Sequence, residues 1–281
     1  MKRKKLGLVT LHGMGNPEET YFVGLRDALL ERLGPHLWDE IAFEPIYFSR
    51  HMQDSEEAVW TRMLEHKLHY ASVRQWLLYG FSDATSLEYS KVGETSAYTQ
   101  AQRRSILESL LRVARALEKP ATAPIFVVAQ SLGGQVLSSY LWDAMSAPKP
   151  FGLWTTPGLE RENLSSGELS VARLERLERL YTTGCNIPVF VSGLSNIQPI
   201  TPKNSGFQWF NFFDTDDVLG WPLAPLSSAY SHMVTDVEVN VSSGFLSNLL
   251  YAWNPLSHSQ YWRTDAVLER IEGDLRRALE G

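Results

Sequence analysis

The segment best able to carry chemistry is Ile125-Phe-Val-Val-Ala-Gln-Ser-Leu-Gly-Gly-Gln135. An apolar, β-branched run ends at Ser131 and a helix-compatible stretch follows at once. A serine on so sharp a strand-to-helix turn sits in strained backbone, and small residues two positions to either side, Ala129 and Gly133, let strand and helix pass closely. The expected result is an exposed Oγ at a helix N-terminus, where partial positive charge favours a developing anion. Ala129 stands where glycine would give a sharper signal, and the plain alternative is a connection that merely turns. A second glycine-rich segment, Leu11-His-Gly-Met-Gly15, also lies between a strand and a helix. Acyl transfer at a serine needs two backbone N–H groups aimed at the oxyanion. Leu132, just after the nucleophile, can supply one, and Met14, flanked by Gly13 and Gly15, is the candidate for the other. His12 reads as a packed or loop-bracing histidine rather than a base. The segment is not Gly-x-Gly-x-x-Gly and no Gly-Lys-Ser/Thr follows, which disfavours phosphate binding.

A serine nucleophile needs a base, and past Ser131 the chain holds only His232 and His258. His232 precedes the strand at 234–241, whereas His258 follows it in Asn254-Pro-Leu-Ser-His-Ser-Gln-Tyr-Trp262. A base at the carboxyl edge of a parallel sheet should come after a strand, which favours His258. For the acid, residues 179–213 contain no Asp or Glu, and then Asp214, Asp216 and Asp217 follow directly on the apolar stretch Trp209–Phe213. One of them can orient the histidine and stabilise its imidazolium. Asp217, heading Asp-Val-Leu-Gly, is preferred; Asp214 is next and could instead brace the turn through backbone amides. The relay order is therefore Ser131, Asp217, His258.

The elements that must position these residues are legible as alternating patterns. Leu6–Leu11 reads as a buried strand. A helix is expected from Asn16-Pro17-Glu18-Glu19, with Asn16 as N-cap, running to a stop at Gly34-Pro35. A second strand is expected at 41–48, mostly helix at 55–118, a strand at 125–129 and a helix at 135–146. Residues 150–170 read as a surface loop, 173–179 as charged and helical, and further strands are expected from 180, 207 and 234. Val267, Ile271, Leu275 and Leu279, four apart, mark a final helix. Strands alternating with helices imply a mostly parallel sheet covered on both faces, with chemistry at its carboxyl edge.

Composition sets the frame. The 281 residues are 44% hydrophobic and 21% charged, which excludes disordered and fibrous classes. The net charge of −6 and the lack of a Lys/Arg-dense face past residue 5 argue against a nucleic-acid partner. A single cysteine, Cys185, rules out an intramolecular disulfide framework and zinc sites built from several cysteines. Met1-Lys-Arg-Lys-Lys5 resembles the start of a signal peptide, but the apolar run behind it breaks at His12-Gly13; a cytoplasmic location without a transmembrane segment is expected. Asn163-Leu-Ser and Asn240-Val-Ser match the glycosylation pattern and carry no weight without a secretory signal. Glu65-His66-x-x-His69 puts two imidazoles on one helix face, yet no third ligand is evident, so a solvated face is the better reading and no metal or cofactor is expected.

Several of these motifs carry a resemblance. His12-Gly-Met-Gly15 is similar to the oxyanion loop of the lipase/esterase-like branch of the α/β-hydrolase superfamily, and Ala129-Gln-Ser-Leu-Gly133 resembles its nucleophile elbow. Leu180-Tyr-Thr-Thr-Gly-Cys-Asn-Ile-Pro188 resembles a strand and Gly-Ser-Pro turn found downstream in such lipases, with Cys185-Asn186 departing from it. Asp217-Val-Leu-Gly-Trp-Pro and His258-Ser-Gln-Tyr-Trp resemble the acid and base loops. The resemblance implies an α/β-hydrolase fold, trimmed at the N-terminal edge of its sheet, as one domain over 1–281 with 52–100 as a helical cap or insert. It implies a cofactor-independent serine hydrolase of carboxylic esters, esterase- or lipase-like, acting on a small-molecule or lipid-like ester. Ser131, Asp217 and His258 would be the triad and Met14 and Leu132 the oxyanion hole, supported by His12, Gly13, Gly15, Gln130 and Gly133. The aromatic residues of 52–100, among them Trp60, Trp76 and Tyr89, could shape an acyl pocket or simply bury that segment, and burial is favoured. An acyltransferase or thioesterase, a non-catalytic binding module of the same shape, and an interaction protein using the 150–175 loop remain the alternatives. Acyl length, alcohol portion and oligomeric state are not set by the sequence.

Overall fold

Short segments that are apolar on both sides, such as LGLVTL and IFVVAQ, can only be central strands of a sheet covered on both faces. In the computed structural model, which describes residues 4–14, 18–48, 53–64, 74, 78, 97–145, 154, 163–241 and 260–281, they are. The strands are β1 (Leu6–Leu11), β2 (Ile41–Ile46), β3 (Ile125–Gln130), β4 (Leu177–Thr183), β5 (Gln208–Phe213) and β6 (Val234–Glu238). They form one six-stranded sheet in the order β2-β1-β3-β4-β5-β6, with every pair parallel. All six strands therefore end at the same edge. This is the parallel, two-sided α/β arrangement expected from the sequence.

Alternate residues of each strand feed two cores. Val9, Leu11, Ile125, Val127, Ala129, Leu180 and Trp209 point to one side, under α3 (Ala97–Ala116) and α4 (Leu132–Met145). Leu6, Leu8, Phe126, Val128, Tyr181, Phe210 and Phe212 point to the other, under α1 (Val23–Trp38) and the final helix α8 (Asp265–Glu280). Further α-helices among the described residues are α2 (Gln53–Leu64), α5 (Ser166–Ala172), α6 (Ile187–Val191) and α7 (Ser228–Met233). Among the described residues, no helix is long and apolar enough to cross a membrane.

Three expectations need correction. The first helix begins at Val23, behind the turns at 18–22, rather than from Asn16. Tyr21 explains the delay: its hydroxyl lies 3.0 Å from the carbonyl oxygens of both Thr10 and Ile46, which ties the connection across the ends of β1 and β2 before the helix can start. The Gly34-Pro35 stop is an interruption, since Gly34 leaves helical backbone (φ 77°, ψ 160°) and a last turn reaches Trp38. The helix placed at 173–179 lies instead at 166–172, started by a Ser165–Glu168 capping box, and β4 begins at Leu177. Arg179 is tolerated in that strand because its guanidinium covers the Phe126 ring and pairs with Asp274 of α8 at 3.6 Å.

The proposed cap at 52–100 and the Glu65-His66-x-x-His69 pair lie mostly or wholly outside the described residues, as does most of the surface loop expected at 150–170, whose last residues, 166–170, are helical instead.

Candidate active site

β3 runs into α4 with a single residue between them, Ser131. That residue has φ 51°, a left-handed conformation that costs a non-glycine residue roughly 1–2 kcal/mol. The turn is held from both sides: the Ser131 N–H donates to the Thr183 carbonyl at the end of β4 (2.9 Å), and its own carbonyl accepts from Gly134 N–H (3.0 Å). Among the described residues the Oγ has no hydrogen-bond partner. The sequence reading expects this hydroxyl to be exposed; Ser131 is instead fully buried. A cause is the backbone of residues 12–13, which lies against the elbow: a Cβ on Gly13 would stand 3.0 Å from Ser131 Cβ and 3.5 Å from its Oγ.

The close approach needs glycine on the other side as well. A Cβ on Gly133 would sit 2.4 Å from the His12 carbonyl oxygen, and one on Gly134 would sit 2.9 Å from Cys185 Sγ. The two glycines after the serine therefore let α4 start directly beneath the ends of β1 and β4. Its first residue, Leu132, is fully buried and opens the helix with its N–H among those that have no partner within the helix.

His12 braces this loop. Its Nε2 lies 3.1 Å from the Phe48 N–H, which can only donate, so Nε2 carries no proton. Nδ1 therefore holds the proton and donates to the Gly13 carbonyl at 2.7 Å. The ring stacks on Phe48 with centroids 3.9 Å apart. Burial lowers its pKa from 6.5 to about 4, keeping the ring neutral. Because the C=O and N–H of one trans peptide point in opposite directions, holding the Gly13 carbonyl fixes the Met14 N–H pointing away from His12. Met14 itself is half-buried against the α3/α4-side core. Gly15 lies outside the described residues.

The three aspartates separate by their partners. Asp214 is used up by backbone: Oδ1 accepts from Asp216 N–H (2.9 Å) and Oδ2 from Val241 N–H (2.7 Å). It is the turn brace that the sequence reading kept as its alternative role. Asp216 is exposed. Asp217 is buried, with Oδ1 accepting from Leu219 N–H (3.0 Å) and Oδ2 from the Tyr261 hydroxyl (2.8 Å). The loop carrying it is anchored by a buried polar chain: Trp209 Nε1–H donates to Thr182 Oγ1, which donates to Asn211 Oδ1. Asn211 in turn donates to Asp236, whose carboxylate also accepts the N–H groups of Leu223 and Ala224.

His232 is exposed on α7, which leads straight into the start of β6; its Nδ1 lies 2.5 Å from the Ser228 carbonyl. It therefore stands at the amino edge of the sheet, opposite Ser131, and cannot serve as its base. His258 lies outside the described residues. The chain just beyond it is at the carboxyl edge: Trp262 Nε1–H donates to Thr183 Oγ1 (3.1 Å), the same residue whose carbonyl accepts Ser131 N–H. Cys185 is buried, and burial pushes its thiol up to about 12, so it is no competing nucleophile. Among the described residues, no cluster of His, Cys, Asp and Glu could hold a metal ion. Sequence reasoning did not single out Tyr261 or the Thr182–Asn211–Asp236 chain; a buried carboxylate's need for donors is the signal that points to them.

No protein-family model matches the chain, and no curated protein matches it. Among solved structures it is similar to a protein from Xanthomonas campestris pv. campestris provisionally assigned as a hydrolase of the α/β superfamily. The two share 12% identity and a TM-score of 0.38 over 98% of each chain.

Proposed function

We propose that this chain is a serine hydrolase of the α/β-hydrolase type that cleaves carboxylic esters through Ser131, His258 and Asp217. The observation that carries the reading is Ser131: a non-glycine residue held at positive φ between a parallel strand and a helix, its hydroxyl without a partner among the described residues, with the backbone of Gly13 against it. Proteins keep such strain where a reactive side chain must be aimed. His258 takes the proton of Ser131 as Oγ attacks the ester carbonyl, and the amides of Leu132 and Met14 hold the oxyanion. The proton passes to the departing alcohol, leaving an acyl-enzyme. Water, deprotonated by His258, then attacks the acyl carbon and releases the acid and free Ser131. Asp217 orients the imidazole and balances its charge. Support for His258 is the tether that follows it: three residues of chain span at most about 11 Å, and Tyr261 is bonded to Asp217 itself.

The test is a fluorophosphonate probe followed by mass spectrometry, with a chain-length series of chromogenic esters. Wild type should be modified at Ser131 and turn over at least one ester, and Ser131→Ala should do neither. Labelling that persists in that variant would falsify the nucleophile, and an inert wild type would favour a binding module.

A further inference from the structure

We infer that Tyr261 is a positioning residue for the acid: its hydrogen bond to Asp217 Oδ2, in a space kept open by Gly220, fixes the carboxylate that serves the base. The inference rests on the hydrolase reading above and extends it to a residue that touches neither substrate nor nucleophile.

A buried carboxylate needs donors, and where they come from decides which way it faces. On Asp217 one oxygen takes the N–H of Leu219, two residues along its own loop. The other takes a hydroxyl from a distant part of the chain, Tyr261, at 2.8 Å. That hydroxyl is itself held, because the Asp214 N–H donates to its oxygen at 2.9 Å. With the acceptor side of Oη occupied by an amide, the phenolic proton is directed at Asp217. The Tyr261 ring is fully buried in the α1/α8-side core, so the donor cannot swing away. Burial and the neighbouring Asp217 charge both raise the proton affinity of the phenol, so the proton stays on the tyrosine and the charge on the aspartate.

Gly220 supplies an independent observation. Its N–H donates to the Asp217 carbonyl at 3.1 Å, closing the turn. A Cβ there would fall 2.7 Å from Asp217 Oδ2 and 2.8 Å from Tyr261 Oη, the two atoms that form the bond. Its φ is not in the left-handed range, unlike those of Gly34 and Gly184, so the backbone does not demand glycine. The space does. Trp262, the next residue after Tyr261, reaches Thr183 beside the elbow. One short segment thus fastens the acid to the end of β4, the strand beside the nucleophile's.

The experiment compares wild type, Tyr261→Phe and Gly220→Ala, alone and on an Asp217→Asn background, by ester turnover, rate of fluorophosphonate labelling and thermal melting. Tyr261→Phe keeps the ring and deletes one bond to a charged group, so kcat and the labelling rate should fall about tenfold to a hundredfold with KM within twofold. Gly220→Ala, which leaves Tyr261 in place and wedges the same bond, should move kcat in the same direction. On Asp217→Asn, where the charge is gone, Tyr261→Phe should add less than twofold. Lowered melting with kcat unmoved in both variants overturns the inference, because the bond then serves packing alone. An undiminished effect on the Asp217→Asn background overturns it too, because Tyr261 then acts elsewhere. Either result leaves the hydrolase reading standing if wild type is labelled at Ser131; an unlabelled wild type overturns both.

Discussion

Gly133→Ala tests the idea that the oxyanion loop and the elbow are one fitted unit. The added methyl would sit 2.4 Å from the His12 carbonyl oxygen and 3.1 Å from both Leu11 Cβ and Leu11 O, where ordinary contact begins at 3.4 Å. Something must retreat by about 1 Å. β1 has little freedom to give, being paired on both sides with β2 and β3, and the start of α4 is tied through Ser131 to Thr183. The backbone of residues 12–14 is the part able to move. Overpacking of this kind costs about 1–3 kcal/mol, offset by up to about 1 kcal/mol for replacing a helical glycine with alanine. A net loss of about 1–2 kcal/mol lowers the melting temperature by roughly 2–8 °C for a chain of this size. The larger effect is on catalysis, since a misplacement of about 1 Å near the reacting atoms costs on the order of 10²-fold. Melting curves and steady-state ester hydrolysis measure both, with Gly193→Ala as control, because a Cβ there meets nothing within 4 Å. A Gly133→Ala protein that melts and turns over like wild type would refute the fitted-unit argument.

Other outcomes follow from the same geometry. Ser131→Gly should lose activity yet melt higher, by roughly 2–4 °C, because about 1 kcal/mol of left-handed backbone strain is relieved; a lower melting temperature would show the strain to be absent. His12 has a folded pKa of about 4 against 6.5 for the free side chain, so between those values the unfolded chain binds a proton that the folded one refuses. Its contribution to stability is complete above pH 6.5 and is lost as pH falls through 4, about 3 kcal/mol in all. Urea melts from pH 7 to pH 4 should accordingly steepen in wild type relative to His12→Gln, and parallel profiles would count against a buried neutral ring.

The sheet and the elbow were legible because they obey local rules. A short apolar run flowing into a helix through one serine has few other interpretations, and the glycines around it reflect contacts with adjacent elements. Asp217 was legible only in part: three aspartates follow β5, and what separates them is which oxygens the backbone of residues 216 and 241 consumes. Tyr261 was not legible, since a tyrosine hydroxyl gains its role from a partner 44 positions away. The charged stretch 173–179 misled for a related reason. Glu178 and Arg179 look solvated in isolation, yet Arg179 lies in a central strand because Asp274, from the far end of the sequence, answers its charge. The late start of α1 likewise depends on Tyr21 reaching two strand ends.

The packing of α8 against α1, with Arg32 paired to Asp265 and Glu272, has a consequence for the order in which a newly made copy matures. A ribosome delivers the oxyanion loop and the serine first, and the tyrosine that clamps the acid follows the serine by 130 residues. On the proposed mechanism a copy that stops short of residue 258 carries a strained serine with neither its base nor a fastened acid, so such a truncated product is inert rather than a stray hydrolase.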